Sequence, residues 1–324
     1  GRFDVKSTLP PPGLAARRAL IKSELKQKVA FDEASVEAVL KRWEGWSAAR
    51  IRHLSKMLDE HVRKHGITTV DGQLLRLMVR KNAEGAGFRL PEGVLSVDQL
   101  HFAPALKRSL KHIVTMLREP QRLEQVGAVL PRGAIFYGPP GTGKTAAAQA
   151  IAKDSEWNLL VTTASDLLST PKKVDDIIKQ ARDIRPCIVF IDEAEGILLN
   201  RLDNPQGKEV TNKLLALIDG PRKLHDVFFI AATNFVDNLD EAMLREGRLS
   251  EHLDFTPSED ALLSVVREFV QARPQVRWLG SPEDFVRRYP DLTPANAQGL
   301  LNRAIRQQAL DSSTGQVTVD LREV

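Results

Sequence analysis

Eight consecutive residues carry a spacing with a definite chemistry: Gly138-Pro139-Pro140-Gly141-Thr142-Gly143-Lys144-Thr145 fits GxxxxGK[ST]. Glycine at these positions lets backbone amides wrap phosphate oxygens without a Cβ in the way. A helix opening at Lys144 would add its positive N-terminal end. Lys144 is the group expected to reach the β- and γ-phosphates, and the Thr145 hydroxyl is an expected Mg²⁺ ligand. Pro140, Gly141, Thr142, Gly143, Lys144, Thr145 and Ala146 are therefore the candidate nucleotide contacts. A second run, Cys187-Ile188-Val189-Phe190-Ile191-Asp192-Glu193, is an apolar strand ending in two carboxylates. Asp192 suits the Mg²⁺ shell, and Glu193 suits the orientation and activation of an attacking water. A third, Ile230-Ala231-Ala232-Thr233-Asn234, ends in a side chain able to position that water. Downstream, Arg245 and Arg248 flank a short turn in LDEAMLREGR. Arginine offers planar, permanently charged donors for the charge of a phosphoryl transition state. The expected ligands are ATP or ADP with Mg²⁺.

These groups need a scaffold that brings several strand ends together. From Gly133 onward, short apolar runs alternate with helical segments: AIFYG (134–138), NLLVTT (158–163), CIVFID (187–192) and VFFIAAT (227–233). Continuous apolar strands separated by helices predict a parallel sheet covered on both faces. Helical spacing predicts helices over 104–117, 258–273, 281–289 and 293–310. Before the sheet, 15–28, 33–43 and 47–65 read as helices, with Asp32 and Ser47 as N-caps and Gly66 as a stop. Residues 82–96, rich in Gly, read as a linker. The fold class expected is α/β: a P-loop sheet with helices on both faces and a helical lid, preceded by a separate helical lid. The domains expected are 1–81, a linker at 82–96, 97–257 and 258–324.

Composition narrows the classes. Of 324 residues, 42% are hydrophobic and 27% charged, which excludes a collagenous or wholly disordered chain. There is no run of about 18 apolar residues and no signal peptide pattern, so no membrane span is expected. The single cysteine, Cys187, cannot form an intrachain disulfide and is expected to be a small buried hydrophobe; a reducing cytoplasm is the expected compartment. Net charge is +4, but residues 1–90 carry 18 Lys/Arg against 10 Asp/Glu, and the remainder carries 28 against 32. The basic segment is compatible with nucleic acid or an acidic partner, and equally with a solvated helical face. The chain opens on Gly1 in mid-pattern, as expected of a fragment. A faint internal repeat at an offset of 246 aligns Trp46-Ser47-Ala48-Ala49 with Leu292-Thr293-Pro294-Ala295, and with a three-residue slip Thr69-Val70-Asp71 with Thr318-Val319-Asp320.

With GPPGTGKT, IVFIDEAE, IAATN and LDEAMLREGR in this order, the chain resembles tandem-domain AAA ATPases, similar to the valosin-containing protein and NSF families. The resemblance covers about 97–310, and residues 1–81 resemble the end of a preceding module. It implies that Asn234 is sensor 1. It implies that Arg245 and Arg248 are fingers acting on a neighbouring subunit's ATP, hence a ring, usually a homohexamer. Arg2 resembles the outer finger of the preceding module. Pro294 and Ala295, opening the lid helix, resemble the segment lying against adenine, and Asp98-Gln99-Leu100 stands where the family backbone reads that base. No arginine opens the lid helix, so a sensor-2 arginine is not expected. The function implied is an ATP-driven ring that remodels, disassembles or unfolds protein complexes, its substrate and adaptor unnamed by the sequence. A nucleic-acid motor or loader and a nucleotide-gated scaffold with low turnover are the alternatives.

Some features depart from the family. Ser165-Asp166 is followed by Leu167-Leu168-Ser169-Thr170-Pro171-Lys172-Lys173, with neither the aromatic nor the Gly of a threading pore loop. Residues 200–208 are a polar candidate for a second pore loop. His61 and His65 stand at a metal-compatible spacing, but Arg63 and Lys64 lie beside them. HExxH does not occur, so no zinc protease site is expected in these residues. Trp43 and Trp46 are expected in a lid core.

Overall fold

The structure is a computed structural model that describes residues 10–85, 90–128, 131–198, 207–219, 226–235, 245, 247–311 and 317–324. The chain divides into two compact units, Gly1–Arg89 and Leu90–Val324. Arg2, residues 200–206 of the second pore-loop candidate, and 239–244 of the arginine segment lie outside the described residues.

The first unit runs α1 (Leu14–Glu24), β1 (Ala30–Phe31), α2 (Glu33–Arg42), α3 (Ala48–His65), β2 (Thr69–Val70) and α4 (Gly72–Gly85). α3 begins because the Ser47 hydroxyl accepts from Arg50 N at 3.3 Å, and it stops where Gly66 turns left-handed at φ +63°. Its Ile51, Leu54, Leu58 and Val62, at helical spacing, are buried with Ile21, Val36, Leu40, Leu75 and Met78. Trp43 and Trp46 stack at 4.6 Å within this core, and the Arg50 guanidinium lies 3.5 Å over Trp46. β1 and β2 pair in parallel, Ala30 with Thr69. The sequence reading differs here. The first helix ends at Glu24 rather than running to 28, because the chain turns extended into β1. Asp32 occupies the N-cap but makes no side-chain cap bond. α4 extends through Gly85, into the expected linker.

In the second unit, a 3₁₀ turn at Val97–Gln99 precedes α5 (Pro104–Arg118) and α6 (Pro120–Gln125). Then follow β3 (Gly133–Tyr137), α7 (Lys144–Ser155), β4 (Asn158–Thr163), α8 (Ala164–Ser169), α9 (Pro171–Asp183), β5 (Cys187–Asp192), α10 (Glu195–Leu198), α11 (Gly207–Asp219), β6 (Val227–Thr233) and β7 (Glu251–Asp254). The five strands pair in parallel in the order β4-β5-β6-β3-β7. Alternate residues serve opposite faces. Phe136, Phe190, Phe228 and Ile230 pack with α5 and α7, while Ile191, Phe229 and Ala231 share an apolar lining with Leu198 and Leu214 on α10 and α11. Burying a side chain of this size is worth about 1.5–3 kcal/mol each. Cys187 is wholly buried, and burial pushes its thiol pKa up, out of the reactive range.

The segment expected as a lid follows as α12 (Glu259–Gln271), β8 (Arg277–Leu279), α13 (Pro282–Arg288), α14 (Pro294–Asp311) and β9 (Thr318–Asp320). β8 pairs β9 in parallel, as β1 pairs β2 in the first unit. α14 and α3 stand at the offset of 246 noted in the sequence, 48–65 against 294–311. Residues 165–173, which lack the aromatic and Gly of a threading pore loop, are mostly helical: Thr163 caps α8, Leu167 is buried, and only Thr170 separates α8 from α9. No described helix is long and apolar enough to cross a membrane.

Close strand packing at β3 leaves no room for a side chain at Gly133. An added Cβ there would lie 2.2 Å from Phe229 O and 2.4 Å from Leu249 Cδ2. Gly133→Ala is expected to cost roughly 3 kcal/mol and to lower Tm by several degrees. Gly299→Ala, where nothing lies within 4 Å on α14, is expected to leave Tm unchanged or raised. Thermal unfolding of the two variants checks this.

Candidate active site

All five strands point the same way, so the segments after β3, β5 and β6 emerge at one edge of the sheet. Chain direction across the sheet switches at β3, which sits between β6 and β7, and such switch points are where open α/β sheets bind ligands. The loop from Gly138 to Gly143 leaves β3 here. Its glycines adopt φ of +140° (Gly138), +78° (Gly141) and +94° (Gly143), conformations that L side chains rarely take. Each is also closely approached. An added Cβ would lie 3.0 Å from the Phe255 backbone at Gly138, 2.8 Å from Ala295 Cβ at Gly141, and 3.2 Å from the Phe102 ring at Gly143. The Thr142 hydroxyl donates to Pro139 O at 2.9 Å and closes the turn.

Lys144 is buried at the start of α7, and its ammonium uses all three donors: Gly138 O at 2.6 Å, Pro139 O at 3.0 Å and Asn234 Oδ1 at 2.9 Å. Burial lowers its pKa, and the charges of Asp192 and Glu195 act against that shift. The Thr145 hydroxyl donates to Asp192 Oδ2 at 3.3 Å. Hydroxyl and carboxylate together are the hard oxygen donors that Mg²⁺ takes, so the residues fit that ion. Glu193 is exposed and holds φ +50°, with its N–H on Asp192 Oδ1 at 3.0 Å. A non-glycine residue held there costs of order 1–3 kcal/mol, and such residues gather at functional sites. The strand ends thus bring together two hydrogen-bonded pairs, Lys144 with Asn234 and Thr145 with Asp192, with Glu193 beside Asp192.

The lid touches the loop. Ala295 N donates to Gly141 O at 3.3 Å, and Thr293 Oγ1 lies 3.2 Å from the position of a Gly141 Cβ. Pro294 opens α14 between them. Pro140 and Gly141 are exposed, and Ala146 is half-buried in the first turn of α7. Asp98 is occupied by α5: its carbonyl accepts from Lys107 Nζ at 2.8 Å, and its carboxylate pairs with Lys111.

The two arginines lie apart from this group. Arg248 O accepts from Arg132 N at 3.1 Å, and Arg132 immediately precedes β3. That is the edge of the sheet opposite the phosphate loop, and a five-residue strand of about 3.3 Å per residue separates the two. Arg248 is half-buried and Arg245 exposed, with Gly247 turning at φ +83° between them. Sequence reading missed Glu195, whose Oε1 accepts from Asn234 N at 2.6 Å, and Phe102, which covers Gly143. Phe102 stands in no motif, and Glu195 closes IVFIDEAE without anything in that run assigning it a role. Both reach the site through tertiary packing.

Residues 134–257 match the ATPase family associated with various cellular activities (AAA). The second unit therefore carries an AAA-type P-loop ATPase module, and its parallel sheet and phosphate loop are those of that class. The chain is similar to the proteasome-activating nucleotidase of Methanococcus vannielii, 38% identical over 49% of this chain and 42% of that protein. It is similar to the ATP-dependent zinc metalloprotease FtsH of Aster yellows witches'-broom phytoplasma, 31% identical over 64% of this chain and 32% of that protein. The Cell division cycle protein 48 homolog of Archaeoglobus fulgidus is 26% identical over 80% of this chain and 39% of its own length. The chain thus spans about a third to two fifths of the length of these relatives.

The approach of Gly141 to Ala295 supplies a test. Gly141→Ala adds a Cβ at φ +78° and 2.8 Å from the lid. Affinity for a fluorescent ADP analogue is expected to fall about tenfold or more, with Tm changed by only a few degrees.

Proposed function

We propose that this chain is the ATP-hydrolysing part of a homo-oligomeric ring, a hexamer by the family resemblance, that remodels, disassembles or unfolds protein complexes. The observation that carries this is the division of the charged groups between two edges of one sheet. Lys144, Asp192, Glu193 and Asn234 gather at the edge where the strands end. Arg245 and Arg248 sit by the edge where β3 begins, on a turn tied to Arg132. An arginine side chain spans less than the length of β3, so these arginines serve a second copy's phosphate site rather than their own.

In this reading the amides of 141–146 and the Lys144 ammonium bind the β- and γ-phosphates of ATP. Thr145 and Asp192 would hold Mg²⁺, which when bound supplies charge neutralisation between those phosphates. Glu193 accepts a proton from the attacking water, and Asn234 orients that water toward the γ-phosphate. Pro294 and Ala295 lie against the nucleotide from the lid side, and their contact with Gly141 passes the state of the site to the lid. The first unit, with the element order and parallel strand pair of the lid, is the lid of a preceding module. Names such as proteasome-activating nucleotidase and ATP-dependent metalloprotease favour work on protein substrates. The helical 165–173 segment supports a ring whose output is assembly or force rather than an aromatic grip on a threaded chain.

Glu193→Gln is expected to retain ATP binding and to lower kcat by at least about a hundredfold. Arg245→Ala and Arg248→Ala are expected to keep ATP binding and to lose about a thousandfold in kcat. Retained turnover in Glu193→Gln would refute the base. Lost binding with normal turnover per bound ATP would refute the arginine role.

A further inference from the structure

Asp192, Glu193 and Glu195 stand within four residues of one another, and only Glu195 has no part in the reaction so far. Its setting is specific. β6 makes its last pair at Thr233 with Tyr137, so the Asn234 N–H has no strand partner. The Glu195 carboxylate takes that N–H at 2.6 Å. Bonds from N–H to a carboxylate are stronger than neutral ones. Glu195 is itself fixed, because Ala194 N donates to Ala232 O at 2.8 Å and Leu198 N to Ala194 O at 2.8 Å. The residues on either side of Asn234 are pinned as well: Phe235 N donates to Thr233 Oγ1 at 3.1 Å, and Thr233 Oγ1 donates to Phe235 O at 3.1 Å. An acidic residue opening the short helix α10 would be favoured by helix polarity alone. That preference does not explain a bond directed across to the end of β6, from a residue 39 positions away.

We infer that Glu195 is a positioning residue for ATP hydrolysis: its carboxylate fixes the backbone of Asn234 and so aims the Asn234 amide, which reaches Lys144, at the reacting phosphate. The inference rests on the ATPase reading above. With the backbone of Asn234 fixed, only its two side-chain torsions remain free. The 2.9 Å bond from Lys144 to Asn234 Oδ1 then settles those. Without Glu195, Asn234 would sit on an exposed turn with its N–H bonded to water. Its amide would sample orientations that neither hold Lys144 nor meet the water.

Glu195→Gln keeps an oxygen acceptor in place but loses the charge that faces Lys144, and its kcat is expected to fall less than that of Glu195→Ala. Glu195→Ala is expected to lower kcat at least about tenfold while KM for ATP moves less than about twofold. Glu195→Asp, with a shorter reach, is expected between the two and serves if the alanine variant does not fold. The Glu195→Ala/Asn234→Ala double variant is expected to be no slower than Asn234→Ala alone, because both changes remove one arrangement. Amide hydrogen exchange at Asn234 reads the bond without turnover. Exchange is expected to be slow in the parent and the Gln variant and faster in the Ala or Asp variant. Equal exchange in all of them, or additive losses in the double variant, would overturn the assignment. A parent chain that fails to hydrolyse ATP would refute the ATPase reading instead, and the exchange result would still judge Glu195.

Discussion

Everything at this site depends on burying one positive charge. The Lys144 ammonium sits inside the loop that leaves β3, and a buried ammonium is tolerable only when its donors are all met and counter-charges stand close. Gly138 O, Pro139 O and Asn234 Oδ1 meet the donors, and Asp192 and Glu195 supply the charge. Those partners come from the ends of β3, β5 and β6. The parallel sheet delivers all three ends to one edge, and the order β4-β5-β6-β3-β7 sets β6 directly beside β3. The topology is therefore a condition on the lysine, and the lysine is what a phosphate would exchange partners with.

The lid meets the same loop. Ala295 N on Gly141 O joins the first turn of α14 to a residue whose φ of +78° and close neighbours call for glycine. A ligand that moves this loop must move or strain that contact, which gives a short route from nucleotide to lid. The first unit repeats the plan of residues 259–320 down to a parallel pair of short strands, with its own apolar core. This shared plan is what the proposed reading of the first unit as the end of a preceding module draws on.

Much of this was legible in the sequence because burial and periodicity wrote it there. The strands at 158–163, 187–192 and 227–233 are continuous apolar runs, and they fall at those residues. The loop 138–143 was legible because its φ values demand glycine. β7 was not: Glu251-His252-Leu253-Asp254 is an edge strand with polar side chains, and only its pairing with β3 reveals it. β1, β2, β8 and β9, two or three residues each, exist through pairing with distant partners and leave no run to detect. The expected strand 134–138 is shifted by one because Gly138 leaves the ladder at φ +140°. Leu167 and Leu168, where a pore loop would stand, lie on a helix, since Thr163 caps that helix at its start. Glu195 and Phe102 escaped notice for one shared reason. Their roles lie in contacts with Asn234 and Gly143, which are remote in sequence, and no local pattern encodes those contacts.

In the proposed ring, the site is completed by a second copy. The most direct measurement is the ATPase rate per subunit as a function of protein concentration, with oligomeric size followed in parallel. With arginines supplied by a neighbour, the rate rises steeply and then saturates as the ring assembles. A flat, appreciable rate across a range where the protein is monomeric would contradict it, because Arg245 and Arg248 would then have no role on a neighbour's nucleotide.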